Sequence, residues 1–235
     1  MPAFSSASGL LLPPPFRAFA AGAGDILGLA EARATQGAGT ILWREADGVM
    51  AIAVIMEPAP PLVTSKDEAD LGYLAGLAAL CDTLARHGQP ERQVTIDWPD
   101  RVLYETATLG GTRWRVGPEG PDGLPAWVVF AAEIISSRDG LDEPGLFPDS
   151  TSLAEEEFSE TPRIIESLAS FLKLIVDRWT VEGRNAVLRR VLDRIDRQDA
   201  LSGASIVGGE LELPSVASLL NEQRWRAPDR GGPAW

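Results

Sequence analysis

Cysteine occurs once in this 235-residue chain, at Cys81, and histidine once, at His87. A lone thiol excludes an internal disulfide and a cysteine-based metal cluster, and its setting is read as a reducing cytoplasm. With no second imidazole, no resident metal is expected. Lysine is nearly as scarce: Lys66 and Lys173 are the only two, and the other cations are arginine. Lys and Arg total 21 against 34 Asp and Glu, a net charge of −13. No Lys/Arg cluster interrupts that acidity, which argues against nucleic acid as a partner. Long apolar runs are missing too. No window approaches the ~18–20 residues of a membrane span, so no membrane partner is expected. The opening "MPAFSSASGLLLPPPF" has no cationic start, and its apolar core is too short for a signal peptide.

What is present is ordinary globular material, 45% hydrophobic and 23% charged. A chain of this length accommodates one large domain, or a domain with an appendage. It buries roughly 70% of its unfolded surface without any covalent staple. Residues 1–19 read as an irregular lead-in, because Pro13, Pro14 and Pro15 suit neither helix nor central strand. Asp25 then caps a short helix carrying Ile26, Leu27, Leu29, Ala30 and Ala34, stopped by Gly37 or Gly39. "TILW" and "VMAIAVIME" flank the turn Glu45-Ala46-Asp47-Gly48 and predict a β-hairpin, the second strand apolar enough to be covered on both faces. Ser65 and Glu68 form a capping box. The helix they open places Leu71, Leu74, Leu77, Ala78, Cys81 and Leu84 on one stripe and ends at His87-Gly88.

"QVTIDW", "VLYETA", "TRWRV" and "AWVVFAAEII" follow as strands. The acidic "SLAEEEFSE" then leads to Thr161-Pro162, read as an N-cap and first-turn proline. A long helix runs through Trp179, and Gly183 divides it from a second helix ending near Ile195. The order predicts an α+β domain over residues 20–198, with a mixed, mainly antiparallel sheet packed by helices. Residues 199–235 read as a short C-terminal appendage in which "ASIVGGELELP" suits a small strand pair.

Several clusters have bland readings. His87 sits where a helix-terminal cation stabilises carbonyls, and Cys81 lies in an apolar stripe without a cationic partner, so both read as structural. "AAGAGD" lacks the Gly-Lys-Ser/Thr ending of a phosphate loop and reads as turn and cap. Glu155, Glu156 and Glu157 read as a solvated acidic loop. "SSRD" at residues 136–139 has no histidine to activate a serine.

"TIDWPDRVLYETATLGGTRWRV", residues 95–116, is harder to dismiss. Trp98-Pro99 makes an extended corner, Asp100 and Arg101 follow it, and Gly110-Gly111 admits a close approach by another strand or a ligand. Alternation places Arg113 and Arg115 on one face, read as solvated, with Trp114 on the other. The element order and this stretch resemble the catalytic domain of biotin and lipoate protein ligases. Those enzymes carry a Lys-Trp-Pro-Asn-Asp motif followed by a Lys-x-Gly-Gly/Ala-Gly strand. The resemblance covers about residues 20–195 and is clearest at Asp97-Trp98-Pro99-Asp100-Arg101 and Thr108-Leu109-Gly110-Gly111.

The departures bear on activity. The family's Gly/Arg-rich adenylate loop is replaced by the short turn at Arg44-Glu45-Ala46-Asp47-Gly48. Its Lys before Trp-Pro aligns with Asp97, its motif Asn with Asp100, its motif Asp with Arg101, and its acyl-contacting Lys with Thr108. Adenylation needs positive groups around a transferring phosphoryl centre. Transfer without ATP would, as the resemblance implies, use a Cys nucleophile after the motif, whereas Cys81 precedes it. The expectation is a degenerate, non-catalytic or function-shifted member that binds a small carboxylate, an acyl-carrier-type domain or another protein. Trp98, Asp100, Arg101, Thr108, Gly110 and Gly111 are its candidate ligand contacts. An acidic pocket there favours a cationic or amide-bearing ligand. The alternative is an active ligase or acyltransferase using relocated arginines, with ATP and biotin or lipoate as cofactors. The Trp-bearing tail "QRWRAPDRGGPAW" is either a partner-binding segment or a strand of chain that folds back.

Overall fold

Asp47 and Gly48 both take positive φ, 53° and 73°. That is the two-residue turn whose twist matches the strands it joins, and the hairpin it closes pairs Ala46 with Val49. The computed structural model describes residues 9–139, 148–195, 205–207, 210–212, 216–220, 223–227 and 231–234. Seven strands build one sheet: β1 (Arg17–Ala20), β2 (Thr40–Ala46), β3 (Val49–Met56), β4 (Val94–Asp97), β5 (Arg101–Tyr104), β6 (Ala107–Val116) and β7 (Val128–Ile135). Across the sheet they run β1-β2-β3-β7-β6-β5-β4. β1 is parallel to β2 and every other neighbouring pair is antiparallel, so the sheet is mixed and mainly antiparallel as expected.

Helix α1 (Ile26–Glu31) covers one face of the sheet. Helices α2 (Asp70–His87), α3 (Thr161–Glu182) and α4 (Arg184–Leu192) cover the other. Strand parity sorts the core accordingly. Ile52, Val54, Phe130, Ala132 and Trp114 face the large helical layer, while Ala51, Ala53, Ile55, Val129 and Ala131 meet Ile26, Leu27 and Ala30 of α1. The carboxy-terminal segment adds the hairpin β8 (Ser205–Val207) and β9 (Glu210–Glu212), the short helix α5 (Val216–Leu219), and the pair β10 (Arg226–Ala227) and β11 (Gly232–Pro233). The expected small strand pair is therefore there.

Local chemistry departs from expectation at several points. β1 begins inside the segment read as irregular, because Phe16 N–H closes onto Pro13 O and turns the chain into parallel register with β2, Arg17 N–H donating to Gly39 O at 2.9 Å. The capping box is half formed. Ser65 makes no side-chain cap, Glu68 instead accepts from Thr64 N–H and Oγ at 2.8 Å each, and the entry is a 3-10 turn over Lys66–Ala69. α2 is not a one-sided stripe: every residue from Leu71 to Leu84 is buried, since the helix lies between the sheet, α3 and α4. Small residues make that sandwich fit; a Cβ on Gly76 would stand 2.4 Å from the Phe130 ring. α3 starts one residue early, with Glu160 at the cap and Thr161 inside, a shift within the usual play of helix ends.

The acidic loop is not simply solvated. Arg138, 8% exposed, grips both oxygens of Glu155 at 2.8 Å and reaches Ser150 Oγ at 3.0 Å. Arg92 pairs with Glu156. The Arg138 hydrogen bonds hold the Glu155 carboxyl below its usual range. On α2, buried Asp82 takes Arg190 and Arg194 of the α4 region and ties the helices together.

Candidate functional site

Gly110 and Gly111 sit in the middle of β6, and each is small for a different reason. Gly110 has φ 155°, and a Cβ there would stand 2.2 Å from the Glu133 carbonyl oxygen of β7. A Cβ at Gly111 would stand 2.3 Å from the ring of Trp225. The Gly-Gly step thus admits both a neighbouring strand and an occupant, and the occupant is the chain's own tail. Trp225 is 2% exposed, and its Nε1–H donates to Asp100 Oδ2 at 2.8 Å. Asp100, 5% exposed, holds the corner after Trp98-Pro99 (a cis peptide), and its carbonyl accepts from Thr112 N–H at 2.8 Å. Burial pushes the Asp100 carboxyl up to about 6, while the indole N–H works in the opposite direction.

Beside the indole lies a mesh of charge. Glu133, the one acid in the apolar β7, accepts from Arg113 at 3.0 Å and from Arg226 at 2.9 and 3.3 Å. Asp25 caps α1 through Gly28 N–H at 3.1 Å, pairs with Arg113, and lies 3.7 Å from Arg226. Burial alone would raise the Asp25 carboxyl and lower the Arg113 guanidinium. Their hydrogen-bonded contact outweighs it and drives each toward its charged form. Arg113 is therefore no solvated residue: its side chain is 11% exposed. Arg115, on the same strand face, is half exposed and lies 3.7 Å from Glu31.

The candidates named from sequence divide. Asp100 and Gly111 meet the tail, while Gly110 admits the neighbouring strand β7. Arg101 is the ladder partner of Gly111 but turns its guanidinium to Asp97. Thr108 is buried near the start of β6, its backbone tied to Asp149 O at 2.8 Å and to Thr151 N–H at 3.0 Å. Trp98 packs against the main core, with its indole N–H unpartnered. Sequence reading missed Asp25, Arg113, Glu133, Trp225 and Arg226. A signal existed for Glu133, since a lone carboxylate within an apolar strand requires a cation.

Neither Cys81 nor His87 is among the residues that meet at the tail. Cys81 is fully buried in α2, where loss of solvent pushes its thiol up to about 12. His87 is engaged elsewhere, Nε2 lying 2.7 Å from Ser167 Oγ. Among the described residues no group of acids, His and Cys could hold a metal ion, and no helix is long and apolar enough to cross a membrane. Between the tail and the hairpin remains a gap of about 80 Å3, lined by Arg44, Asp47, Glu133 and Gly232. A pocket for a small organic ligand has ~300 Å3 or more. A separate apolar cavity of about 250 Å3 opens on the helical side near Pro15, Met56, Leu62 and Val176, with the Lys173–Asp177 pair at its rim. With the tail seated, the Gly111 face holds the indole N–H of Trp225 and the guanidinium of Arg226.

The sequence model of the Biotin/lipoate A/B protein ligase family matches residues 12–192. No curated protein matches the chain. Among solved structures, a biotin protein ligase-like protein of unknown function from Silicibacter is similar, with TM-score 0.65, 22% identity, and 87% of each chain covered. The apo biotin protein ligase of Aquifex aeolicus has TM-score 0.51 and 12% identity, with 68% of each chain covered. A variant of that enzyme in complex with biotin has TM-score 0.53 and 11% identity, covering 76% of this chain and 77% of its own.

Proposed function

Because the chain belongs to the biotin/lipoate A/B protein ligase family, we propose that it is a function-shifted member that binds a ligand or protein partner at the Gly111 face and does not adenylate a carboxylate. The observation that carries this reading is the Trp225 indole, seated on Gly111 and bonded to Asp100. Charge supports it. Arg101 pairs with Asp97, and Arg113 with Asp25 and Glu133, so each of these cations already faces a carboxylate. Losing one preorganised donor of that kind costs about 10²–10³ in rate. The acids at Asp25, Asp100 and Glu133 favour a cationic or amide-bearing ligand over ATP.

Arg44 at the edge of the small gap and Arg101 beside Asp97 each keep an Nε without a hydrogen-bond partner, and they are the features most favourable to an active ligase with relocated arginines. Thermal unfolding of the full chain separates the two readings. It is run with biotin, lipoate, octanoate, ATP and the matching acyl-adenylates. A ligand at ~100 times its dissociation constant adds roughly 2.7 kcal/mol, on the order of 5–10 °C here. No shift with ATP or an acyl-adenylate is expected, and a shift of that size with either would overturn the proposal.

A further inference from the structure

Two side chains, Trp225 and Arg226, anchor the segment that fills the Gly111 face, with Gly232 and Pro233 buried beside them. Trp225 and Arg226 lie in a run whose own regular structure is the two-residue pairing of β10 with β11, with Ala234 N–H donating to Trp225 O at 2.8 Å. A two-stranded piece of that size has no independent stability in water. The anchors are the indole between Gly111 and Asp100, and the guanidinium on Glu133 and Asp25. Each anchor meets a surface that belongs to the domain: the indole donates to Asp100, and the guanidinium joins Arg113 on Glu133 and Asp25. Remove the tail, and Gly111 presents bare strand while Asp100 loses its indole donor. Glu133 and Asp25 are then left sharing Arg113. That surface is complementary to an aromatic N–H donor followed by a cation.

We propose that Trp225–Arg226 is a displaceable internal ligand, and that the face of Gly111, Asp100, Glu133 and Asp25 is a docking site for a segment of another protein carrying an aromatic N–H donor beside a basic residue. The tail holds the site closed in the isolated chain, and a partner segment of the same chemistry takes its place. This rests on reading the face as a binding surface and not an adenylation centre. A tethered competitor acts at an effective concentration of ~1 mM. Against a segment that binds with a dissociation constant on the order of 10 μM, it weakens apparent binding about 100-fold.

The test uses the full-length chain as wild type and as the Trp225→Ala/Arg226→Ala double variant, with a synthetic peptide of residues 223–234 as probe. The peptide is expected to bind the variant about 100-fold more tightly than wild type. Binding should fall about tenfold when Glu133→Gln is added, and also when the peptide carries Glu in place of Arg226. Equal binding to wild type and variant, no binding to either, or indifference to both charge changes overturns the proposal.

Gly111→Ala provides a variant whose tail is intact in sequence. Its new Cβ expels the indole and blocks the peptide alike. Trypsin should then cut after Arg224 and Arg226 at least tenfold faster than in wild type, and tail protection equal to wild type would count against the site. Self-association of the wild-type chain that the double variant loses would assign the face to a second copy's tail and overturn a separate partner. ATP–pyrophosphate exchange by the double variant would defeat the underlying reading, whereas absent exchange with absent peptide binding defeats this inference alone.

Discussion

Replacing Asp100 by Asn tests the buried corner in a way that pH can dissect. The native carboxyl is raised to about 6 by burial, and in the unfolded chain it returns to 3.8. Between those values the folded protein holds the proton more tightly than the unfolded one. Stability from this group is therefore full below the unfolded value and is lost as pH rises through about 6. A shift of this size corresponds to about 3 kcal/mol at neutral pH, and Asp100 is only 5% exposed, so solvent screening removes little of it. Asn keeps an oxygen for the Trp225 Nε1–H and never ionises. The stability of Asp100→Asn relative to wild type is expected to grow by about 3 kcal/mol from pH 3 to 7.5 and then level off. Urea unfolding of both proteins at matched pH values gives that difference directly, because the other carboxylates cancel. In thermal melts the same change is roughly 6–12 °C. A difference that stays flat across the range, or shrinks as pH rises, refutes the burial argument.

Three further outcomes check other parts of the structure. Gly76→Ala places a Cβ 2.4 Å from the Phe130 ring. Overpacking of ~1–3 kcal/mol against a helix-propensity gain of up to ~1 leaves a net loss of about 1–2 kcal/mol in urea unfolding, and a stabilised variant contradicts the packing of α2 on the sheet. His87 is the only histidine, so one imidazole resonance titrates by NMR. Burial, with Arg86 adding to it, places its midpoint below 6.5, and stability from this group is lost as pH falls through that window; a midpoint above 6.5 contradicts it. Cys81 should resist a thiol reagent in the native state at pH 8 and react promptly once unfolded, because its thiol is inaccessible and held near 12; rapid native labelling would refute its burial.

Periodicity and turn chemistry carried most of the architecture. The Asp47-Gly48 turn, the apolar β3 and β7, and the Gly183 break all express local preferences that tertiary contacts do not override. The α2 reading failed for a physical reason: a helix rich in Ala and Gly can be buried on all sides, so its Leu spacing describes only part of its contacts. At the site, the Gly-Gly step announced a close approach but not its occupant. Alternation put Arg113 on the correct face, yet the acids that bury it come from Asp25, 88 positions earlier, and Glu133, 20 positions later. Trp225 reaches Asp100 across 125 positions. No local pattern encodes pairings of that separation. The lone acid of β7 and the Trp-Arg of the tail were each visible, and only the fold shows that they meet.

ATP–pyrophosphate exchange with biotin, lipoate or octanoate, measured on the wild-type chain and on the Trp225→Ala/Arg226→Ala variant, tests the central claim most directly. Opening the Gly111 face leaves Arg101 on Asp97 and Arg113 on Asp25 and Glu133, so neither protein is expected to exchange above background. Exchange by the wild type, or exchange that appears once the tail is released, would contradict the account and make the tail a lid on a working ligase.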